Sequence, residues 1–371
     1  VNEDRATRYH RLKRRALVVS LAWSAVLFTT LLATGASLQL RDAASRAAAA
    51  LGASSPALVV VLYVAALTLL HEAGSFAIAL YGEFAVEHRY GLSNERFTAW
   101  LRDQAKSFAV GLVLGSAAVS VIYLFIRLSP SGWWLPAGAV FALLIVGMAN
   151  VAPVLLLPLF YRVKPLDREA LRRRLIELAD RAGAKVLGAY EWGLADKTKK
   201  ANAALAGLGA TRRILVSDTM LADYSDEEIE IVLAHELAHH VHGDIWKGIA
   251  FESALVMAGF FLAARTLDAS TAWLGLEGPA DPAGLPLLLL AAGAVSVAML
   301  PAAYALSRTF ERSADRFALE LTRNPTAFVS AMKRLAAQNL AEDRPSRLIQ
   351  WLFYSHPPVG ERIAMAQAFK R

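Results

Sequence analysis

The chain has 371 residues, no cysteine, 56% hydrophobic residues and a positive mean hydropathy. The lack of cysteine excludes disulfides and thiolate metal sites, so any transition-metal ligands must be histidine or carboxylate. The formal charge of +7 comes without a zinc knuckle or an aromatic-basic strand, which argues against nucleic acid and for basic loops on a membrane protein.

Apolar runs of about 20 residues can cross a bilayer's hydrocarbon core. Six are expected, at about 16 to 35, 57 to 80, 107 to 128, 134 to 160, 248 to 266 and 284 to 306. Arg5, Arg8, Arg11, Lys13, Arg14 and Arg15 precede the first and place the N-terminus in the cytoplasm. That span is longer than a signal core, so it is expected to stay as an anchor, although Ala33, Thr34, Gly35 and Ala36 would suit cleavage. Residues 36 to 56 read as an amphipathic Ala/Arg helix on the outer side. His71 and Glu72, near the end of the second span, are close enough to the interface to be expected as non-functional. Trp133 and Trp134 are expected as an interfacial anchor.

The inner segments would be 81 to 106, 161 to 247 and 307 to 371, which hold most of the remaining Lys and Arg. The outer loop 267 to 283 has Asp268, Glu277 and Asp281 but no Lys or Arg. From Pro165 to Ala182 the pattern is an Arg-rich amphipathic helix, and short apolar runs at 185 to 192, 201 to 206 and 213 to 217 predict strands. A helix should open at Asn324-Pro325, with Asn as N-cap and Pro at the first helical position.

The motif that carries chemistry is His235-Glu236-Leu237-Ala238-His239. On a helix the two histidines share a face and can share a metal, leaving Glu236 beside the water that the metal would activate. Ser225 and Glu228 form a capping-box start, Asp226 and Glu227 suit the positive first turn, and Gly243 is a stop. Ile229, Val232, Leu233 and Leu237 would bury the helix and hold its ligands rigid. The pattern implies peptide-bond hydrolysis.

A zinc protease needs three protein ligands and an open position, so one ligand lies elsewhere. Metzincin spacing would require Gly at 242 and His at 245; the chain has His242 and Ile245. Three ligands on one short helix would crowd the metal, so His242 is expected behind the ligands or in solvent. The better third ligand is Glu311, one helical turn before Asp315, which lets one carboxylate bind metal while the other orients a ligating histidine.

Several ordered motifs now resemble the type I CaaX prenyl protease family of integral-membrane zinc peptidases. They run from about Phe84 to Ile363, roughly three-quarters of the chain. Glu87-His88-Arg89-Tyr90-Gly91 and Trp100-Leu101-Arg102-Asp103-Gln104 resemble its inner loop, and Pro158-Leu159-Phe160-Tyr161 with Pro165-Leu166 its approach to the catalytic lobe. Lys200-Ala201-Asn202-Ala203, Gly207 and Arg213 to Thr219 are similar to the segment before the zinc helix. Ser307-Arg308 to Asp315 resembles the third-ligand helix, and Ser355-His356-Pro357-Pro358 through Arg362-Ile363 the C-terminal signature.

The resemblance implies one Zn2+ per chain on His235, His239 and Glu311, with Glu236 as general base and Asp315 behind a ligand. Asn202 and Ala203 would hold substrate, and His356 and Arg362 would stabilise the oxyanion. Pro357-Pro358 would fix a turn that aims His356. A strand edge at Asn202 could pair with an extended peptide. Two departures concern the substrate. Ala204 stands where the family usually has an aromatic residue, and the N-terminal region has one span fewer than the seven-span eukaryotic members.

The expected fold is a mainly α-helical polytopic membrane protein, with about six transmembrane helices around a chamber and a small cytoplasmic α/β zinc-protease lobe. It divides into a membrane region over 1–160, a lobe with the zinc helix over 161–246, two spans over 247–306 and a helical part over 307–371 that completes the site. Partners would be a peptide or protein substrate, with a C-terminal prenyl group tolerated, and the lipid bilayer. Both termini and the active site would be cytoplasmic, and a bacterial inner membrane fits; oligomeric state stays open. A membrane quality-control zinc protease and a non-catalytic lipid- or peptide-binding chamber are the alternatives.

Overall fold

The structure is a computed structural model that describes residues 4–53, 55–207 and 211–369. Residue 54, within the expected 36 to 56 helix, and residues 370 and 371 of the C-terminal part lie outside the described residues.

The membrane region opens with α1 (Arg5–Ala33), α2 (Ala36–Ala50) and α3 (Pro56–Ala79), which runs through a π-turn at Leu80–Ala85 into α4 (Val86–Arg89). Then come α5 (Phe97–Leu128) and α6 (Trp134–Val151), extended by a π-turn at Ala152–Leu156 into α7 (Leu157–Phe160). α2 is shorter than expected, because Gly52 takes a left-handed φ of 72° and Pro56 opens the next helix. After the lobe, α11 (Asp244–Ser270) and α12 (Leu285–Thr322) return through the membrane. Five helical stretches among the described residues are long and apolar enough to cross a bilayer, and the shorter apolar helix Trp134–Ala149 occupies the fourth expected span, 134 to 160.

The apolar end of this bundle packs around Tyr63, Tyr123, Trp133, Leu267 and Leu285. Trp133 is fully buried there, edge-on to Phe260 at 5.7 Å, so the expected interfacial anchor is corrected for Trp133, while Trp134 stays half-buried. The α6–α11 packing encloses the indole, whose apolar bulk is worth more in a core than at an interface. His71 belongs to the α1–α3 seam: Nε2 lies 2.9 Å from Ser24 Oγ, and the ring stacks on Phe28. A cavity of about 290 Å3 lies among α5, α6, α11 and α12, lined by residues such as Val119, Phe141, Phe260 and Leu288.

The lobe contains β1 (Val163–Pro165), α8 (Glu169–Arg181), β2 (Ala189–Trp192), β3 (Ala203–Ala206), β4 (Arg213–Ser217), α9 (Asp218–Asp223) and α10 (Asp226–Val241). Its sheet has the order β1-β2-β4-β3, with β2 and β4 parallel and the outer pairs antiparallel. β1 was not among the expected strands; three residues are too few for a periodic signal, and pairing to β2 alone makes it a strand. The C-terminal part adds α13 (Pro325–Gln338), α14 (Arg347–Phe353) and α15 (Val359–Ala368). Asn324 caps α13 through the Ala327 amide at 3.0 Å.

One core unites these parts. Leu171, Leu175 and Leu178 of α8, Ile214 and Val216 of β4, Ile229, Leu233 and Leu237 of α10, Leu319 of α12 and Phe328 of α13 pack together. α10 is therefore held between the sheet and the C-terminal helices. At 1.5 Å per residue the 38-residue α12 is about 57 Å long, enough to cross some 30 Å of hydrocarbon and still reach α10.

Candidate metal centre

α10 begins as its residues dictate. Ser225 Oγ accepts from the Glu228 amide at 3.3 Å and Glu228 Oε2 accepts from the Ser225 amide at 2.9 Å, a complete capping box. At its other end Gly243, with φ 68°, breaks α10 and lets the chain start α11 one residue later. Ile229, Leu233 and Leu237 are at most 1% exposed, which locks the helix and fixes the direction of His235 and His239.

Glu311 of α12 faces both histidines. Its Oε2 is 3.2 Å from His235 Nε2 and its Oε1 is 3.5 Å from His239 Nε2. One ligand atom from each of His235, His239 and Glu311 lies within 4.8 Å of the others. The remaining nitrogens are taken from behind: His235 Nδ1 is 2.9 Å from Asp315 Oδ1, and His239 Nδ1 is 3.1 Å from Asp244 Oδ2. Both rings therefore turn Nε2 toward the common point, as carboxylates behind metal-bound histidines do.

The cradle fits a cation. Glu311 Oε2 is buried without a hydrogen-bond partner, a costly state that a metal among the three ligands would relieve. Burial opposes charge on His235, yet Asp315 and Glu311 outweigh it and raise the imidazole to about 9. Burial alone would lift the Glu311 carboxyl, but His235 and His239 hold it far below the usual carboxylate range. The site thus favours positive charge beside the histidines, and its donor set of two imidazoles and one carboxylate suits zinc.

Glu236 stands between His235 and His239 on α10, its carboxyl raised chiefly by burial. His356, on the loop before α15, brings Nε2 to 3.3 Å from Glu311 Oε1 and keeps a mostly exposed ring. Arg362 of α15 grips Asp315 with Nε at 2.8 Å and Nη2 at 2.5 Å, and Nη2 lies 3.4 Å from His235 Nδ1. Its nearest partner is thus the carboxylate behind His235, a contact that the sequence did not suggest.

Asn202 is exposed at the start of β3, with its backbone tied to Ser217, while Ala203 is buried. Ala204 follows in β3, opposite Leu215. His242 caps the end of α10, with Nδ1 3.3 Å from Ser313 Oγ and its ring edge-on to Phe317, and is not part of the ligand cluster. Asp244 is the residue the sequence left unnoticed. It is 6% exposed, follows the left-handed Gly243 and sits in the positive first turn of α11. A carboxylate just past a helix stop, five residues after the second histidine, was the available signal.

Comparison with known proteins agrees with this architecture. The model for peptidase family M48 matches residues 165–370, and that for the CAAX prenyl protease N-terminal region, described as five membrane helices, matches residues 2–162. A Bacillus subtilis protein named as the uncharacterized metalloprotease YhfN is 33% identical over 288 residues, 76% of this chain and 68% of that protein. The rice CAAX prenyl protease 1 homolog is 26% identical over 325 residues, 85% of this chain and 75% of the relative. The crystal structure of S. mikatae Ste24p superposes with a TM-score of 0.83 at 21% identity, over 97% of this chain and 87% of that one. Two family models thus cover the membrane helices and the metal lobe in turn. The chain belongs to peptidase family M48, among the type I CaaX prenyl proteases, and is a multi-pass integral-membrane metalloendopeptidase.

Proposed function

We propose that the chain is a zinc endopeptidase whose site faces the cytoplasm and which cleaves extended peptides, with a C-terminal prenyl group tolerated but not required. The observation that carries this is the joining, in one packed unit, of the His235/His239/Glu311 cradle and an open strand edge. β3 ends the sheet order and packs against α10, the helix that bears Glu236. An extended peptide added to that edge gains main-chain hydrogen bonds and lies along the metal helix.

Zinc in the cradle would lower the pKa of a water towards about 7 and polarise the scissile carbonyl. Glu236 takes the proton of the attacking water and passes it to the leaving amine. His356 lies beside Glu311 at the edge of the cradle, where it donates to the oxyanion as charge develops. Arg362 adds positive charge on the same side and holds Asp315, which orients His235. Ala203 presents the main-chain edge that the substrate strand joins, and the exposed Asn202 side chain stands beside it to hold substrate.

The names of relatives called CAAX prenyl protease 1 support the reading that lipidated peptides are among the substrates. Ala204, small where the family resemblance implies an aromatic residue, favours a looser groove. Matched quenched peptides with and without a prenyl group, assayed with and without chelator, decide the matter. The expected result is chelator-sensitive cleavage of both; cleavage confined to the prenylated peptide would refute relaxed specificity.

A further inference from the structure

Helix α14 leaves an apolar face uncovered. Leu348 and Trp351, one turn apart, are 65% and 50% exposed, and no residue of the helix is fully buried. Its level along the bundle follows from its two anchors. Arg308 lies just beyond the last apolar run, and its Nη1 donates to the Gln350 carbonyl at 3.2 Å and the Tyr354 carbonyl at 2.6 Å. Arg14 lies just ahead of the first apolar run, and its Nη1 donates to Tyr354 Oη at 3.1 Å and Glu342 Oε2 at 2.7 Å. Tyr354 also donates to Glu342.

Arginines that mark the ends of two different spans thus meet at the C-terminal end of α14. The helix therefore lies in the plane where both spans leave the hydrocarbon. The exposed apolar run of α1 begins at Leu17 and Val18, one turn past Arg14, so the Leu348/Trp351 face continues the lipid-facing belt. Trp and Leu at that level settle into the membrane interface. Arg347 and Arg344, the latter in a solvent-exposed ion pair with Asp343, precede the face and complement anionic headgroups.

We propose that α14 is an interfacial helix whose Leu348/Trp351 face is seated in the lobe-side leaflet of an anionic membrane, and that this seating fixes the adjacent loop bearing His356. His356 is two residues past Tyr354, so the clamp that holds α14 at the interface also sets where the imidazole meets Glu311. The depth assignment stands independently of the catalytic role proposed for His356.

The cysteine-free chain allows a direct test. A polarity-sensitive fluorophore is placed on Leu348→Cys, with Asp343→Cys as control, in full-length protein in phosphatidylcholine vesicles with and without phosphatidylglycerol. The expected result is quenching of the Leu348→Cys probe by brominated acyl chains and shielding from aqueous iodide, both greater with phosphatidylglycerol, and the reverse for the control. Iodide access to the Leu348→Cys probe in all vesicles would overturn the proposal, and so would shielding that appears only with added peptide, which would assign the face to substrate. Trp351→Asp is expected to lose kcat severalfold in vesicles with KM and metal content retained, and Trp351→Phe to restore it. An unchanged kcat in Trp351→Asp would overturn the link to His356.

Discussion

His235 and His239 each turn Nε2 to the cradle and give Nδ1 to a carboxylate, Asp315 on α12 for one and Asp244 on α11 for the other. Glu236 takes no part in that ligation, so Glu236→Gln is expected to keep a full complement of metal. Hydrolysis should fall by roughly 100- to 10,000-fold, the range for losing a general acid–base group. Metal content and peptide turnover measured on one preparation check this, and loss of both together would mean that Glu236 holds the metal. Asp244→Ala frees the His239 ring and is expected to weaken metal binding roughly 10- to 100-fold, as loss of a carboxylate behind a ligand does. A chelator titration reads that affinity; an unchanged midpoint would return Asp244 to its contact with Lys247 alone, at 3.1 Å.

Among the elements, β3 and the N-terminal end of α1 carry the next two predictions. The Asn202 carbonyl accepts from the Ser217 amide, so alternation along an antiparallel ladder turns the amide of Ala203 away from β4. Proline at an edge strand's outward position spares the ladder but removes that donor. Ala203→Pro should therefore lower kcat/KM by roughly fivefold or more, the worth of one peptide hydrogen bond of about 1 kcal/mol, with metal retained. Full activity in this variant would exclude strand addition at β3. At the other junction, burial would raise the Glu342 carboxyl, but Tyr354 and Arg14 outweigh it and hold it below its ordinary 4.5. A depressed folded-state pKa adds stability above the unfolded value, and that stability is lost as pH falls through the folded one. Wild-type protein should thus exceed Glu342→Gln in melting temperature at pH 7, with the gap closing below about 4.5; thermal unfolding across that range reads it, and a constant gap would contradict the linkage.

The whole molecule combines a membrane bundle and a metal lobe through two long helices, α11 leaving the lobe at Asp244 and α12 returning to it with Glu311. Basic residues ahead of the first span and their absence from 267–283 predict that the lobe is cytoplasmic. Single cysteines at Glu277 and Asp343 should then behave oppositely in intact cells, the first labelled by a membrane-impermeant maleimide and the second only after permeabilisation. The inverse pattern would reverse the orientation. What the sequence determined alone is what depends on short spacing. The i, i+4 histidine pair, the Ser225/Glu228 cap, the Glu311/Asp315 turn and the apolar runs all report one helix at a time, where periodicity and side-chain chemistry suffice. Only the tertiary structure decided what lies across elements. Asp244 meets His239 across the helix break at Gly243, Arg362 finds Asp315 because α15 packs beside α12, and Trp133 is buried because α11 covers it. Each such contact joins residues whose approach is set by helix packing, and no local pattern records the direction in which one helix meets another.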